Sequence, residues 1–283
     1  MKFIPSLILA LSMPFATLAS EPSDSVTIFM IGDSTMANKS LDKENQERGW
    51  GQMLPLYFDG PIKIDNHAVN GRSSKSFIDE GRWEKVKGLI KPGDYLIIQF
   101  GHNDEKSNDP SRYTVAGGTF DENLTRFVRE AREKGATPIL MNSIARRNFP
   151  APDGTAPSQT DDKQDDWKSA KSTTIAEGNI LVDTHGAYLD SPRNVAEKEQ
   201  AIFIDLNKDT RQLLEKLGPD LSRELFMWIP ASTYEFCPKG KVDNTHLNIL
   251  GGIIISRIAA NRLAENVDGL KKFIKPEVYN LKK

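Results

Sequence analysis

Apolar residues gather in five short runs: Val26 to Ile31, Ile62 to Asn66, Tyr95 to Phe100, Thr137 to Asn142 and Ile202 to Leu206. Each has the length of a strand and is too short for a helix with a buried face of its own. Between the third and fourth runs the period changes. Phe120, Leu124, Phe127, Val128 and Ala131 recur at the spacing of one helix face. Thr119 and Glu122 stand in the capping-box relation at its start, and Gly135 follows as a stop. Leu213, Leu214 and Leu217 form a second stripe ended by Gly218, and the segment from Leu247 to Val267 predicts a final helix. Strand runs alternating with helical segments predict an α/β fold, a parallel sheet covered on both faces.

Two stretches depart from this rhythm. The first nineteen residues carry Lys2, a mostly apolar run from Leu7 to Phe15, and the small-residue end Thr17-Leu18-Ala19. This pattern reads as a secretory signal peptide at 1–19, which predicts a secreted or periplasmic protein. The leader holds no cysteine, so lipid attachment there is not expected. The second stretch, Phe149 to Gly178, is polar, holds three prolines and contains Asp161-Asp162-Lys163-Gln164-Asp165-Asp166. It reads as a solvated insertion near 149–178 in a single domain spanning 20–283. It lacks the glycine and terminal glutamate that a calcium loop of the EF-hand type needs.

Composition narrows the class. The chain has 283 residues, 38% hydrophobic and 27% charged, with a formal charge of −2. That is ordinary for a globular domain, and no block of one charge sign invites nucleic acid or an anionic membrane. After the leader, no run reaches the ~20 apolar residues of a membrane span. A monomer is expected. Cys237 is the only cysteine, so the fold must rest on its core and not on an internal disulfide. The histidine and cysteine spacing fits no zinc site, and neither metal nor other cofactor is expected.

In parallel α/β sheets, function collects beyond the C-terminal ends of the strands. Gly32-Asp33-Ser34-Thr35 follows the first run, and Asn66-His67-Ala68-Val69-Asn70-Gly71-Arg72-Ser73 follows the second. Gly101-His102-Asn103-Asp104 follows the third, and Asp243-Asn244-Thr245-His246 precedes the last helix. Acyl transfer needs a nucleophile, a base, a group that orients the base, and donors for the oxyanion. Ser34 supplies a hydroxyl and His246 an imidazole. Asp243, three residues earlier, can share a turn with His246 and fix its tautomer. The backbone N–H groups of Ser34 and Gly71 and the amide of Asn103 are the oxyanion candidates. Taken singly, each piece is weak. Gly-Asp-Ser after a strand is often only a turn with a cap, and Asp-x-x-His is common by chance.

Together, in this order, the four blocks resemble those of the SGNH, or GDSL, hydrolase family across nearly the whole mature chain. The resemblance implies a three-layer α/β/α sandwich of the flavodoxin-like kind, with about five parallel strands. It also implies metal-independent ester hydrolysis through an acyl-enzyme. Arg48-Gly49-Trp50-Gly51, the stretch from Asn66 to Ser73, Asp183-Thr184-His185-Gly186-Ala187-Tyr188 and Pro238-Lys239-Gly240-Lys241-Val242-Asp243-Asn244-Thr245-His246 look like the rhamnogalacturonan acetylesterases within it. Those enzymes remove acetyl groups from the rhamnogalacturonan backbone of pectin, so an acetylated polysaccharide or oligosaccharide is the expected partner.

Candidate substrate contacts follow. Arg48 and Arg72 suit galacturonate carboxylates, against the alternative of surface salt bridges. Trp50 and Trp167 are candidate stacking platforms, although most tryptophans are largely buried. His185 is a candidate contact in a glycine-containing loop, while His67 and His102 read as structural. Competing functions are an acetyl esterase on another glycan such as xylan, a lipid or thioester hydrolase, and a non-catalytic glycan-binding protein.

Overall fold

The computed structural model describes residues 25–149 and 180–279. The expected signal peptide, Trp167 and all but the start of the polar insertion lie outside them. The five apolar runs form β1 (Val26–Gly32), β2 (Ile62–Asn66), β3 (Tyr95–Gln99), β4 (Thr137–Met141) and β5 (Ile202–Ile204). They pair in parallel in the order β2-β1-β3-β4-β5.

Alternate strand residues feed two separate cores, as the two-residue period of a strand requires. Ile28, Met30, Ile97, Ile139 and Met141 enter one core; Phe29, Ile31, Leu96, Ile98 and Leu140 enter the other. The first is covered by α1 (Trp50–Met53), α6 (Leu206–Leu221) and α7 (Ile249–Asn266). The second is covered by α2 (Ser74–Asp79), α3 (Arg82–Leu89), α4 (Thr119–Glu133) and α5 (Asp190–Glu199). The result is a three-layer α/β/α sandwich.

The predicted α4 face is the buried one: Phe120, Leu124, Phe127, Val128 and Ala131. Gly135 ends the segment with φ +80°, and a side chain there would press on Pro92. The capping box, however, does not form. Gly118 occupies the cap, so Thr119 is already the first helical residue. Its hydroxyl accepts the Val115 N–H at 2.9 Å, and the Glu122 N–H goes to Gly118 O. In α6, Leu214 is buried, and the helix breaks at Gly218, with φ +70° and Pro219 behind it.

One pair of strands lies outside the expectation. Phe226–Ile229 (β6) and Lys241–Leu247 (β7) form a separate antiparallel pair. Asp243 and His246 therefore sit on an irregular strand, and α7 starts only after Asn248, whose side chain caps it through the Gly251 N–H at 2.9 Å. A side chain at Gly251 would collide with the Leu225 carbonyl, so α7 starts hard against the base of this pair. Cys237 is half-buried in the connection between β6 and β7.

Candidate active site

β1 and β3 are neighbours from which the chain departs in opposite directions, to β2 on one side and β4 on the other. Their C-terminal ends open a crevice at that switch point. Ser34 lies just beyond β1, Asn103 just beyond β3, and Gly71 beyond β2. The nucleophile turn is tightly held. Asp33 Oδ1 accepts the Thr35 N–H at 2.9 Å and its hydroxyl at 2.7 Å, while Asp33 O accepts the N–H groups of Met36 and Ala37.

The strand pair delivers the remaining groups. His246 Nε2 lies 2.9 Å from Ser34 Oγ, and His246 Nδ1 lies 2.7 Å from Asp243 Oδ2. Asp243 is buried, and its Oδ1 accepts the N–H groups of Thr245 and His246, each at 2.8 Å. Those two bonds bend the strand so that residues three apart face each other. Burial works against the Asp243 carboxylate, but His246 and Lys241 overcome it and hold this group far below the usual carboxylate range. It is ionised throughout the working range, fit to fix the imidazole tautomer and to stabilise imidazolium.

The Asp243 carboxylate has a further cationic neighbour. Lys241 Nζ is 2.8 Å from Asp243 Oδ2 and 3.3 Å from Glu47 Oε2. Glu47 Oε1 in turn lies 2.8 Å from Lys39 Nζ, which donates to Asn70 Oδ1 at 2.5 Å. Neither Lys241 nor Glu47 stood out in the sequence. Lys241 would have done so had β7 been read as a strand, because residues two apart share a face.

The other wall carries hydrogen-bond donors. Asn103 is buried; its Nδ2 donates to Arg72 O at 3.1 Å, and its Oδ1 accepts from Arg112 Nη1 at 3.1 Å. Among the described residues, the second amide hydrogen of Asn103 meets no acceptor. Gly71 adopts φ +74°, and a side chain there would meet nothing, so the backbone conformation rather than space demands glycine. Among the described residues, none accepts the N–H of Ser34 or Gly71. Gly71, Arg72 and Arg112 also line an open cavity of about 450 Å³ with Lys75, Asp79 and Glu80.

The substrate candidates divide. Arg72 borders that cavity, with Nε at 3.1 Å from both Glu80 oxygens and Nη1 donating to Asn70 O. Arg48 Nη1 is spent on the carbonyls of Asn45 and Glu47, which makes it a brace for that loop. Trp50 is fully buried, with its indole N–H on Gln99 Oε1 at 2.7 Å, so it cannot stack on a sugar. His185 is also buried. Its Nδ1 lies 2.9 Å from Glu105 Oε2, which leaves it no surface for substrate.

Beneath the nucleophile lies a buried polar layer. His102 packs edge-on to His185, with ring centres 4.6 Å apart, and its Nδ1 is 3.3 Å from Asp33 Oδ2. Burial drives His102 down to about 4, so its ring is neutral near pH 7. Burial also pushes Asp104 up to about 7, although its carboxyl accepts from Ser74 and Thr114.

The family model described as GDSL-like lipase/acylhydrolase matches residues 30–222, a span that includes Ser34, Gly71 and Asn103 and stops short of Asp243 and His246. The chain is 32% identical over 240 residues to the rhamnogalacturonan acetylesterase RhgT of Bacillus subtilis (strain 168), covering 85% of this chain and 90% of the relative. It is 25% identical over 232 residues to the rhamnogalacturonan acetylesterase of Emericella nidulans, covering 81% of each. Among solved structures, the YxiM protein of Bacillus subtilis aligns with a TM-score of 0.63 and 26% identity, over 88% of this chain and 58% of that one.

Proposed function

Since the chain belongs to the GDSL-like lipase/acylhydrolase family, we propose that it is an exported serine esterase that removes O-acetyl groups from pectic rhamnogalacturonan. The observation that carries the reading is the continuous path from Ser34 Oγ through His246 to Asp243, at 2.9 and 2.7 Å. In this mechanism His246 Nε2 takes the Ser34 proton as Oγ bonds to the acetyl carbonyl carbon. The carbonyl oxygen becomes an oxyanion, received by the N–H groups of Ser34 and Gly71 and by Asn103 Nδ2. The carbon–oxygen bond to the sugar then breaks, and His246 returns the proton to the departing sugar oxygen. Water, deprotonated by His246, then attacks the acetyl-enzyme carbonyl carbon; the bond to Ser34 Oγ breaks, His246 returns the proton to Oγ, and acetate leaves.

Three features support the finer statements. The names of two relatives support an acetyl group on rhamnogalacturonan as the target. The cavity beside Gly71, bordered by Arg72 in its pair with Glu80, offers room for neighbouring sugars. Lys2, the apolar run and the Ala19 end support export.

Acetate release from acetylated rhamnogalacturonan, xylan and small esters tests the reading. Wild-type protein should prefer the first, and Ser34→Ala should release none while melting like wild type. Full activity in that variant would overturn the serine mechanism. Preference for long-chain esters would overturn the acetyl assignment.

A further inference from the structure

A row of alternating charge runs away from the Asp243–His246 pair. Asp243 Oδ2 takes both the His246 ring at 2.7 Å and the Lys241 ammonium at 2.8 Å. Glu47 follows at 3.3 Å from Lys241, then Lys39 at 2.8 Å from Glu47, and the row ends on Asn70, next to Gly71. These residues come from β7, from the segment before α1, and from the loops after β1 and β2. The row thus ties together the nucleophile loop, the glycine loop and the base.

We propose that Lys241 and Glu47 are positioning residues of the active site that set the pH range in which His246 acts as base. The inference rests on reading Ser34, His246 and Asp243 as the hydrolytic triad. The charged groups facing His246 are Asp243 and Lys241 from β7 and Glu47 from the segment before α1, with Lys39 behind Glu47. A cation sharing the oxygen that holds the imidazole weakens that oxygen as an acceptor and disfavours imidazolium. Glu47 opposes this, because it draws on the Lys241 ammonium and adds a negative charge that favours imidazolium. The two act with opposite sign.

Both charges are permanent in the working range. Burial pushes Lys241 down, but the carboxylates of Asp243 and Glu47 prevail and hold it above the ordinary lysine range. Burial pushes Glu47 up, but Lys39, His246 and Lys241 prevail and hold it below the ordinary carboxylate range.

The test is kcat/KM against pH for para-nitrophenyl acetate, whose acid limb reports the base in the free enzyme. Lys241→Met should move that limb up by about one pH unit. Lys241→Arg should restore it, and Glu47→Gln should move it down. Limbs that stay in place in folded Lys241→Met and Glu47→Gln, or that move in the same direction, overturn the proposal. If Lys241→Met does not fold, Glu47→Gln decides alone: a lower limb supports the proposal and an unmoved or higher one overturns it. An active Ser34→Ala would overturn the triad reading itself, whereas unmoved limbs beside an inactive Ser34→Ala overturn only the roles given to Lys241 and Glu47.

Discussion

Arg112 holds the amide oxygen of Asn103 at 3.1 Å and so decides which end of that amide is the donor. With Oδ1 occupied, Nδ2 must face the other way, where one hydrogen binds Arg72 O. Asn103→Ala is expected to lower kcat about 10²–10³-fold, the usual loss for one oxyanion donor. Arg112→Ala removes only the orientation and should cost less, about tenfold, with KM for a small acetyl ester nearly unchanged. Steady-state kinetics of the two variants check this. Equal losses would mean that Arg112 does more than orient the amide.

Two buried groups beneath the nucleophile respond to acid with opposite sign. His102 is pushed from 6.5 down to about 4. The unfolded chain therefore takes up the proton first, and stability is lost as pH falls from about 6.5 to 4. Asp104 is pushed from 3.8 up to about 7. The folded chain keeps that proton longer, so stability is gained as pH falls from about 7 to 4. Each effect amounts to about 3–4 kcal/mol at most, and in the wild type they offset each other. Asp104→Asn should unmask the histidine, so that Tm falls more steeply between pH 6.5 and 4. Thermal melts across that range check it, and an unchanged slope would refute it.

Trp50 separates a packing role from a sugar-stacking one. Trp50→Phe removes the donor to Gln99 Oε1 and leaves a buried acceptor without its partner. A loss of about 1–3 kcal/mol is expected, seen as a lower Tm. KM on acetylated polysaccharide should hardly change. A raised KM with an unchanged Tm would instead indicate a stacking platform.

The inner strands β1, β3 and β4 were legible because they are buried on both faces for most of their length and so read as apolar runs, whereas the edge strand β2 alternates Ile62 and Ile64 with polar residues. Ser34, Gly71 and Asn103 were legible because strand ends mark where chemistry collects in such sheets. β7 was not, because Lys241, Asp243 and His246 give its positions to the site instead of the core. Without β7, Lys241 could not be placed on the face of Asp243. Arg112 reaches Asn103 through a chain of turns between 101 and 114, which carry no periodic signal. The burial of Trp50 and His185 depends on packing between segments distant in sequence, which local pattern does not record.

Ser34 is carried by the five-stranded sheet, whereas Asp243 and His246 are carried by a two-stranded ribbon outside it. The two meet along a seam fastened by Arg48 N–H on Leu247 O at 2.9 Å and Arg147 N–H on Asn244 O at 2.8 Å. The 2.9 Å bond between Ser34 and His246 is thus also a latch between two bodies. Loosening the ribbon would part the base from the nucleophile, and because Phe226 and Leu247 of the ribbon lie in the first core, it would open that core as well.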